Sequence, residues 1–286
     1  MNYVPNESTL FQRLKLKLRM RRALKELSNR AARSNMAKPH GLPAPLIVSL
    51  TSYATRFPTL ARTLTGILHQ TVGADRTILW VSNGDFTALP KDVLALQEKG
   101  LEIGRCDNMR SFTKIIPTLD AHPDSFIITV DDDVYYDQNL IADLVEAYDH
   151  GSPKVVCRRA HKVTLTPEGK PLPYAQWDKI RQAEECSPLV FPTGVMGVLY
   201  PPDVFHEDVC KRELFMDICS TADDVWLYWM WRMKGHTAHR IGGRRRLMEW
   251  PDSQGSNLRT HNIHVGGNDS CISNMVQRYG FPDLSR

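Results

Sequence analysis

Three consecutive carboxylates, Asp131-Asp132-Asp133, are the residues of this 286-residue chain whose types and spacing point most directly to chemistry. Adjacent carboxylates raise one another's pKa unless a cation or hydrogen-bond donors stabilise the ionised forms. A divalent cation with a phosphate-bearing ligand accounts for them economically, because hard cations take carboxylate oxygens and leave positions open for phosphate. The alternative, a solvated acidic turn, leaves unexplained why three aspartates stand where one would end a strand. The run before them, Phe126-Ile127-Ile128-Thr129-Val130, is apolar and mostly β-branched, as suits a strand covered on both faces. Open α/β sheets bind ligands beyond the carboxyl ends of their strands, which is where the triplet falls.

The elements that must hold this triplet are legible on both sides of it. Leu46-Ile47-Val48-Ser49-Leu50 reads as a buried first strand, followed by a helix from about Pro58 to Gln70. A second strand is expected at 77–81, a helix from Pro90 to Lys99, a short strand at 101–103, a helical turn from Lys114 to Leu119 and a helix from Asn139 to Tyr148. Strands alternating with helices imply a largely parallel sheet. Beyond residue 151 the pattern loosens. A strand is expected at 155–157, and residues 166–188, rich in Pro and charge, read as a long loop with a helical piece near Trp177. Thr193-Gly194-Val195-Met196-Gly197 reads as a turn entering an apolar strand. Asp223 to Lys234 reads as a Trp-rich helix closed by Gly235, with a strand near 237–241 and then a polar tail.

Charge divides the chain. Residues 1–38 hold ten Lys or Arg and two acids, net +8, so against a total of +4 the remainder carries 4 − 8 = −4. The mildly acidic body argues against nucleic acid as a partner. Three regions follow: a basic, helical arm at 1–38, a Pro/Gly-rich linker at 39–45, and the α/β body at 46–286. Over residues 8–34 leucines interleave with Lys and Arg, which fits either a helix lying on an anionic membrane or one packed on the body or a partner. No run of about 18 apolar residues is present, no secretory signal is evident, and the six cysteines form no CxxC pair. A cytoplasmic protein is expected, peripheral on the inner face of the membrane if the arm binds lipid.

With a strand-end Asp131-Asp132-Asp133 in the middle of an α/β chain, residues 44–275 resemble the metal-dependent GT-A glycosyltransferases, most of all bacterial family-2-type enzymes of surface polysaccharide assembly. The resemblance implies a Rossmann-like α/β/α sandwich with a mostly parallel central sheet. It implies a DxD element in which Asp133 binds Mn²⁺ or Mg²⁺, Asp131 meets the ribose or the metal, and Asp132 is a neighbour of the donor. It places the nucleotide of a nucleoside-diphosphate sugar, UDP-sugar as first choice, on Thr51, Ser52, Tyr53 and Arg56, with Lys114 and Gly194 also near the donor. Thr221-Ala222-Asp223-Asp224 resembles the acidic pair of inverting enzymes, with Asp224 as the base that takes the acceptor hydroxyl's proton. Asp223 and Trp226 are then near the reacting sugars. Helix capping by Asp223 is the structural alternative. In Thr260-His261-Asn262-Ile263-His264 a late histidine, His264 or else His261, resembles a further metal ligand. The implied acceptor is a glycan, lipid-linked or free.

Two other classes fit parts of this pattern. A haloacid-dehalogenase-like phosphatase also ends a strand in Asp-x-Asp, but Tyr135 departs from its motif and the triplet lies late in the domain. A non-catalytic nucleotide-sugar or glycan-binding subunit would share the donor residues without transfer.

Overall fold

A computed structural model of the chain describes residues 10–32, 37–152, 154–243, 245–251 and 267–284. Its centre is an eight-stranded, mostly parallel sheet. The first four strands, β1 (Leu46–Ser52), β2 (Arg76–Ser82), β3 (Leu101–Cys106) and β4 (Phe126–Thr129), pair in parallel in the order β3-β2-β1-β4. The sheet continues through β10 (Val198–Tyr200), antiparallel to β4, then β5 (Val155–Cys157), β11 (Ala238–Arg240) and β8 (Glu185–Ser187). This is the expected α/β class. β1 and β4 are buried because helices cover both faces, so a run such as Phe126–Thr129 carries no exposed side chain.

After α2 (Phe57–Leu68) come the short helices α3 (Lys91–Leu94) and α4 (Ile116–Ala121), and one core packs α2 and α5 (Leu140–Glu146) against β1, β2 and β4. The other packs α6 (Arg212–Ile218), α7 (Asp223–Met233) and α8 (Gly267–Tyr279) against β5, β10 and β11. Past its acidic first turn α7 is buried all round: Trp226, Tyr228, Trp229 and Trp231 are each at most 1% exposed. It ends at Gly235 with φ +80°, as its sequence implies.

Two expectations are corrected. Residues 166–188 are not one long loop. They include β7 (Asp178–Ile180), which with β6 (Ala160–Lys162) and β9 (Val190–Pro192) forms a second, antiparallel sheet in the order β7-β6-β9. The C-terminal stretch is not all polar tail either, since α8 buries Cys271, Ile272 and Met275.

The basic N-terminal segment forms α1 (Leu10–Ala31) and packs on the body. Ala23 and Leu27 cluster with Trp250. Arg30 donates to the carbonyls of His69 (2.9 Å), Tyr136 (3.0 Å) and Gly66. The face turned away from the body exposes Leu14, Leu18, Lys15, Lys17, Arg21, Arg22 and Lys25. Among the described residues no helix is long and apolar enough to cross a membrane.

Candidate active site

The carboxyl ends of β1, β2 and β4 open into a cavity of about 610 Å³. The candidate residues Thr51, Ser52, Tyr53, Arg56, Lys114, Asp131, Asp132, Asp133, Gly194, Asp223 and Asp224 all line it. They come from five separate stretches of chain that only the fold brings together.

The acidic loop is braced from behind. Asp131 N–H donates to the Tyr136 hydroxyl (2.9 Å), which donates to the Val195 carbonyl (3.0 Å). Trp250 N–H donates to the Asp133 carbonyl (2.8 Å), and Thr63 Oγ1 to the Val134 carbonyl (3.0 Å). The side chains meet cations and donors within the protein. Arg56 pairs with Asp133 and lies 3.6 Å from Asp132, which also accepts from Ser52 Oγ at 2.6 Å. Burial pushes the Asp132 carboxyl up to about 7 despite Arg56.

Lys114 joins the acidic loop to α7. Its Nζ lies 3.3 Å from Asp131 and 2.9 Å from Asp223. Burial alone would lower its pKa, but Asp131, Asp223 and Asp224 outweigh that and hold it well above the ordinary lysine value. Its position is fixed through the backbone: Ser49 Oγ, buried in the middle of β1, donates to the Lys114 carbonyl (2.6 Å) and hydrogen-bonds Thr118 Oγ1 (2.7 Å).

Asp224 is half-buried on the first turn of α7 and accepts the Gly194 N–H on both oxygens, at 3.1 and 3.3 Å. Burial, then the Asp223 charge beside it, push its carboxyl up to about 7, with Lys114 opposing. A carboxylate poised there takes a proton near neutrality and holds it less weakly than an ordinary aspartate. Gly194 sits close to both groups: a Cβ there would stand 2.9 Å from Lys114 Nζ and 3.2 Å from Asp224 Oδ1, so either would have to shift. Helix capping does not explain the acidic pair, because Ala222 holds the N-cap position and no side chain caps the helix.

Asp131, Asp132 and Asp133 offer the oxygen chemistry that Mn²⁺ and Mg²⁺ prefer. Asp133 and Asp131 already face Arg56 and Lys114, and among the described residues no three His, Cys, Asp or Glu side chains converge as a ready ligand set. A cation would share these carboxylates with the two basic groups. His261 and His264 lie outside the described residues.

Trp226 is corrected: it is fully buried, donates to the Val209 carbonyl (3.1 Å) and takes no part in lining the cavity. Thr51 lines it, but its hydroxyl is spent on the Trp80 carbonyl (2.9 Å). Residues outside the sequence-derived set also contribute. Asp85, at the end of β2, accepts Ala54 N–H (3.2 Å) and Ser82 Oγ (2.7 Å), so it fixes the loop after β1. It carries the same strand-end signal as Asp131. Arg110, Arg159, His161, Tyr174 and Lys179 line the remaining wall and gave no motif to find.

No protein-family model matches the chain, and no curated protein matches it in sequence. Solved structures with a similar fold include mannosyltransferase PcManGT from Pyrobaculum calidifontis in complex with GDP-Man and Mn²⁺ (11% identity, TM-score 0.45, 95% of this chain and 87% of that one). The inositol-1-phosphate CTP transferase from T. maritima aligns at 11% identity and TM-score 0.43 over 82% of this chain and 97% of its own. S. aureus TarS 1-349 aligns at 12% identity and TM-score 0.44 over 82% of this chain and 72% of its own. These are similarities of fold.

Proposed function

We propose that the chain is a glycosyltransferase that moves a hexosyl unit from a nucleoside-diphosphate sugar to a hydroxyl of a glycan acceptor, with inversion. The observation that carries this reading is Asp224. It is a half-buried carboxylate with its pKa raised toward neutrality, held by a backbone N–H, on the same cavity as the strand-end acidic loop.

Transfer is one displacement. The acceptor oxygen forms a bond to the anomeric carbon as its proton passes to an Asp224 oxygen, and the bond from that carbon to the diphosphate oxygen breaks with its electron pair. Gly194 N–H fixes the carboxylate so that it presents an oxygen to the hydroxyl. Lys114 balances Asp131 and Asp223, which keeps Asp224 from being the third uncompensated acid in one place. Ser52, Tyr53 and Arg56 bound the nucleotide end, where Tyr53 offers a half-exposed ring and Arg56 a guanidinium suited to phosphate. A divalent cation held by Asp133 and Asp131 would supply positive charge to the departing diphosphate.

The acceptor glycan, lipid-linked and destined for a bacterial surface polysaccharide, sits at a membrane in this reading. The basic outer face of α1 would hold the enzyme there, on the cytoplasmic side.

The test is transfer itself. UDP-, GDP- and dTDP-sugars are screened for thermal stabilisation of the chain with and without Mn²⁺ or Mg²⁺, and for release of the nucleoside diphosphate. One nucleotide class should bind, with Asp224→Asn retaining binding and losing turnover. Hydrolysis of phosphate monoesters in place of donor turnover would instead carry the phosphatase alternative. Tight donor binding without turnover would mark a binding subunit.

A further inference from the structure

We propose that the wall of the cavity built by the second sheet is a subsite for an anionic group, phosphate or carboxylate, carried by the acceptor. This rests on the transfer reaction above for the word acceptor; the anion site stands on its own geometry.

In the β6–β7 pair His161 stands directly opposite Lys179, and directly opposed residues share a face. Both line the cavity, with Arg159 beside them. Arg159 Nη1 donates to Thr193 Oγ1 (2.5 Å), and its Nη2 lies 3.4 Å from His161 Nε2. A guanidinium only donates, so His161 Nε2 accepts and the proton sits on Nδ1. His161 is 6% exposed, and among the described residues Nδ1 has no hydrogen-bond partner. Burial, with Arg159 and Lys179 nearby, pushes the imidazole down to about 3, so it stays neutral in this tautomer. The face therefore presents hydrogen-bond donors and positive charge.

The opposite face of the same ribbon is different. There Lys162 stands across from Asp178 and pairs with Glu185 at 2.7 Å. On the cavity face, among the described residues, no carboxylate lies within ion-pair distance of Lys179. Lys179 therefore adds positive charge to the cavity wall with no carboxylate in reach among the described residues, and an anionic ligand would supply the counter-charge. Arg110 joins them from another wall and holds φ at +56°. A residue with a Cβ adopts that conformation at a cost, and such residues gather at ligand sites.

Placement ties this patch to the acceptor. Arg159 holds Thr193 through its side chain, and its carbonyl accepts Thr193 N–H (3.1 Å). The next residue, Gly194, holds Asp224. The patch thus adjoins the base, whereas the nucleotide end is built by the loop after β1. An anion bound here positions its own sugar's hydroxyl toward Asp224.

The experiment measures binding of inorganic phosphate, glucose 6-phosphate, glucuronate and glucose to the full chain by calorimetry, with and without saturating UDP or GDP and Mn²⁺. The anionic probes should bind, glucose should not, and salt should weaken binding. Lys179→Gln and Arg110→Gln, both at exposed positions, should each weaken it about tenfold. Phosphate against glucuronate separates the two sources of charge. Equal binding of glucose 6-phosphate and glucose, or binding that neither variant weakens, overturns the subsite. So does one-for-one displacement of glucose 6-phosphate by UDP or GDP, because it places the anion at the diphosphate end. Failure of every nucleoside diphosphate to bind overturns the transferase reading alone, and the anion site is then judged on the nucleotide-free protein.

Discussion

The backbone N–H of Gly194 donates to both carboxylate oxygens of Asp224, at 3.1 and 3.3 Å. The candidate base is thereby oriented by main chain, from a loop that lies thirty residues earlier and belongs to the entrance of β10. A side chain at 194 has nowhere to go without moving Lys114 or Asp224.

Gly194→Ala should therefore damage turnover more than stability. The added Cβ meets the far end of Lys114, which can swing, at 2.9 Å, and the Asp224 oxygen at 3.2 Å. We expect kcat to fall about 10²-fold, as for a misplaced catalytic group, with donor KM little changed and Tm shifted by only a few degrees. Steady-state kinetics with differential scanning fluorimetry decides it; a variant with full kcat removes Gly194 from the site.

Asp224 gives a pH signature with a definite sign. The base acts ionised, and its carboxyl is pushed up to about 7. The rate should rise about tenfold per pH unit below 7 and level off above it. Asp224→Asn should lose about 10²–10⁴-fold in kcat. The same shift works against the fold: a carboxyl whose folded pKa exceeds its unfolded value of about 4 contributes stability at low pH that is lost as pH rises through 7. Asp224→Asn, whose amide oxygen still accepts the Gly194 N–H, should melt higher than wild type at pH 8 and no higher at pH 4. An unchanged pH profile of activity in Asp224→Asn would sink the assignment.

Lys114 is the counterpart. It is 7% exposed and faces three acids. Truncating one partner of a buried ion pair leaves the others uncompensated, at a cost of about 3–5 kcal/mol. Lys114→Met should lower Tm strongly at pH 8. Lys114 opposes the upward shift of the Asp224 carboxyl, so without the ammonium that carboxyl rises further and its protonation relieves the repulsion as pH falls. The gap to wild type should therefore shrink at pH 5. A pH-independent loss would mean that Lys114 matters only for packing.

How much of this was open to a reader of the sequence depended on where each contact lies along the chain. Phe126–Asp133 announces a buried strand ending in acid by composition alone, and Thr51–Arg56 follows a strand of the same kind. Asp223-Asp224 was legible as an acidic pair before a helix. Ser49 was not legible as a determinant of Lys114, because the bond spans 65 positions and nothing in β1 marks its serine. β7 was missed because Asp178 and Lys179 are exposed and a three-residue edge strand shows no periodicity. α8 had a signal that was passed over: Cys271, Ile272, Met275, Val276 and Tyr279 recur at helical spacing, hidden among polar residues. Trp226 was misjudged because a helix buried on every side looks, in sequence, like one with an aromatic face to spare.

The outer face of α1 supplies the remaining prediction. Ala23, Leu27 and Arg30 fix one side of the helix to the body, so its orientation is set and a particular face is left outside. That face carries Leu14 (55% exposed) and Leu18 (47% exposed) among Lys15, Lys17, Arg21, Arg22 and Lys25. Leucines exposed among cations suit an anionic bilayer, where each basic residue near the surface contributes about 1 kcal/mol and apolar side chains enter the acyl boundary. The full chain should sediment with vesicles containing phosphatidylglycerol, fail to sediment with pure phosphatidylcholine, and be released by high salt. Replacing Leu14 and Leu18 together by Glu should abolish sedimentation without changing Tm, since neither side chain packs on the body. Equal binding to neutral and anionic vesicles, or undiminished binding by the double variant, would rule this face out as the membrane contact.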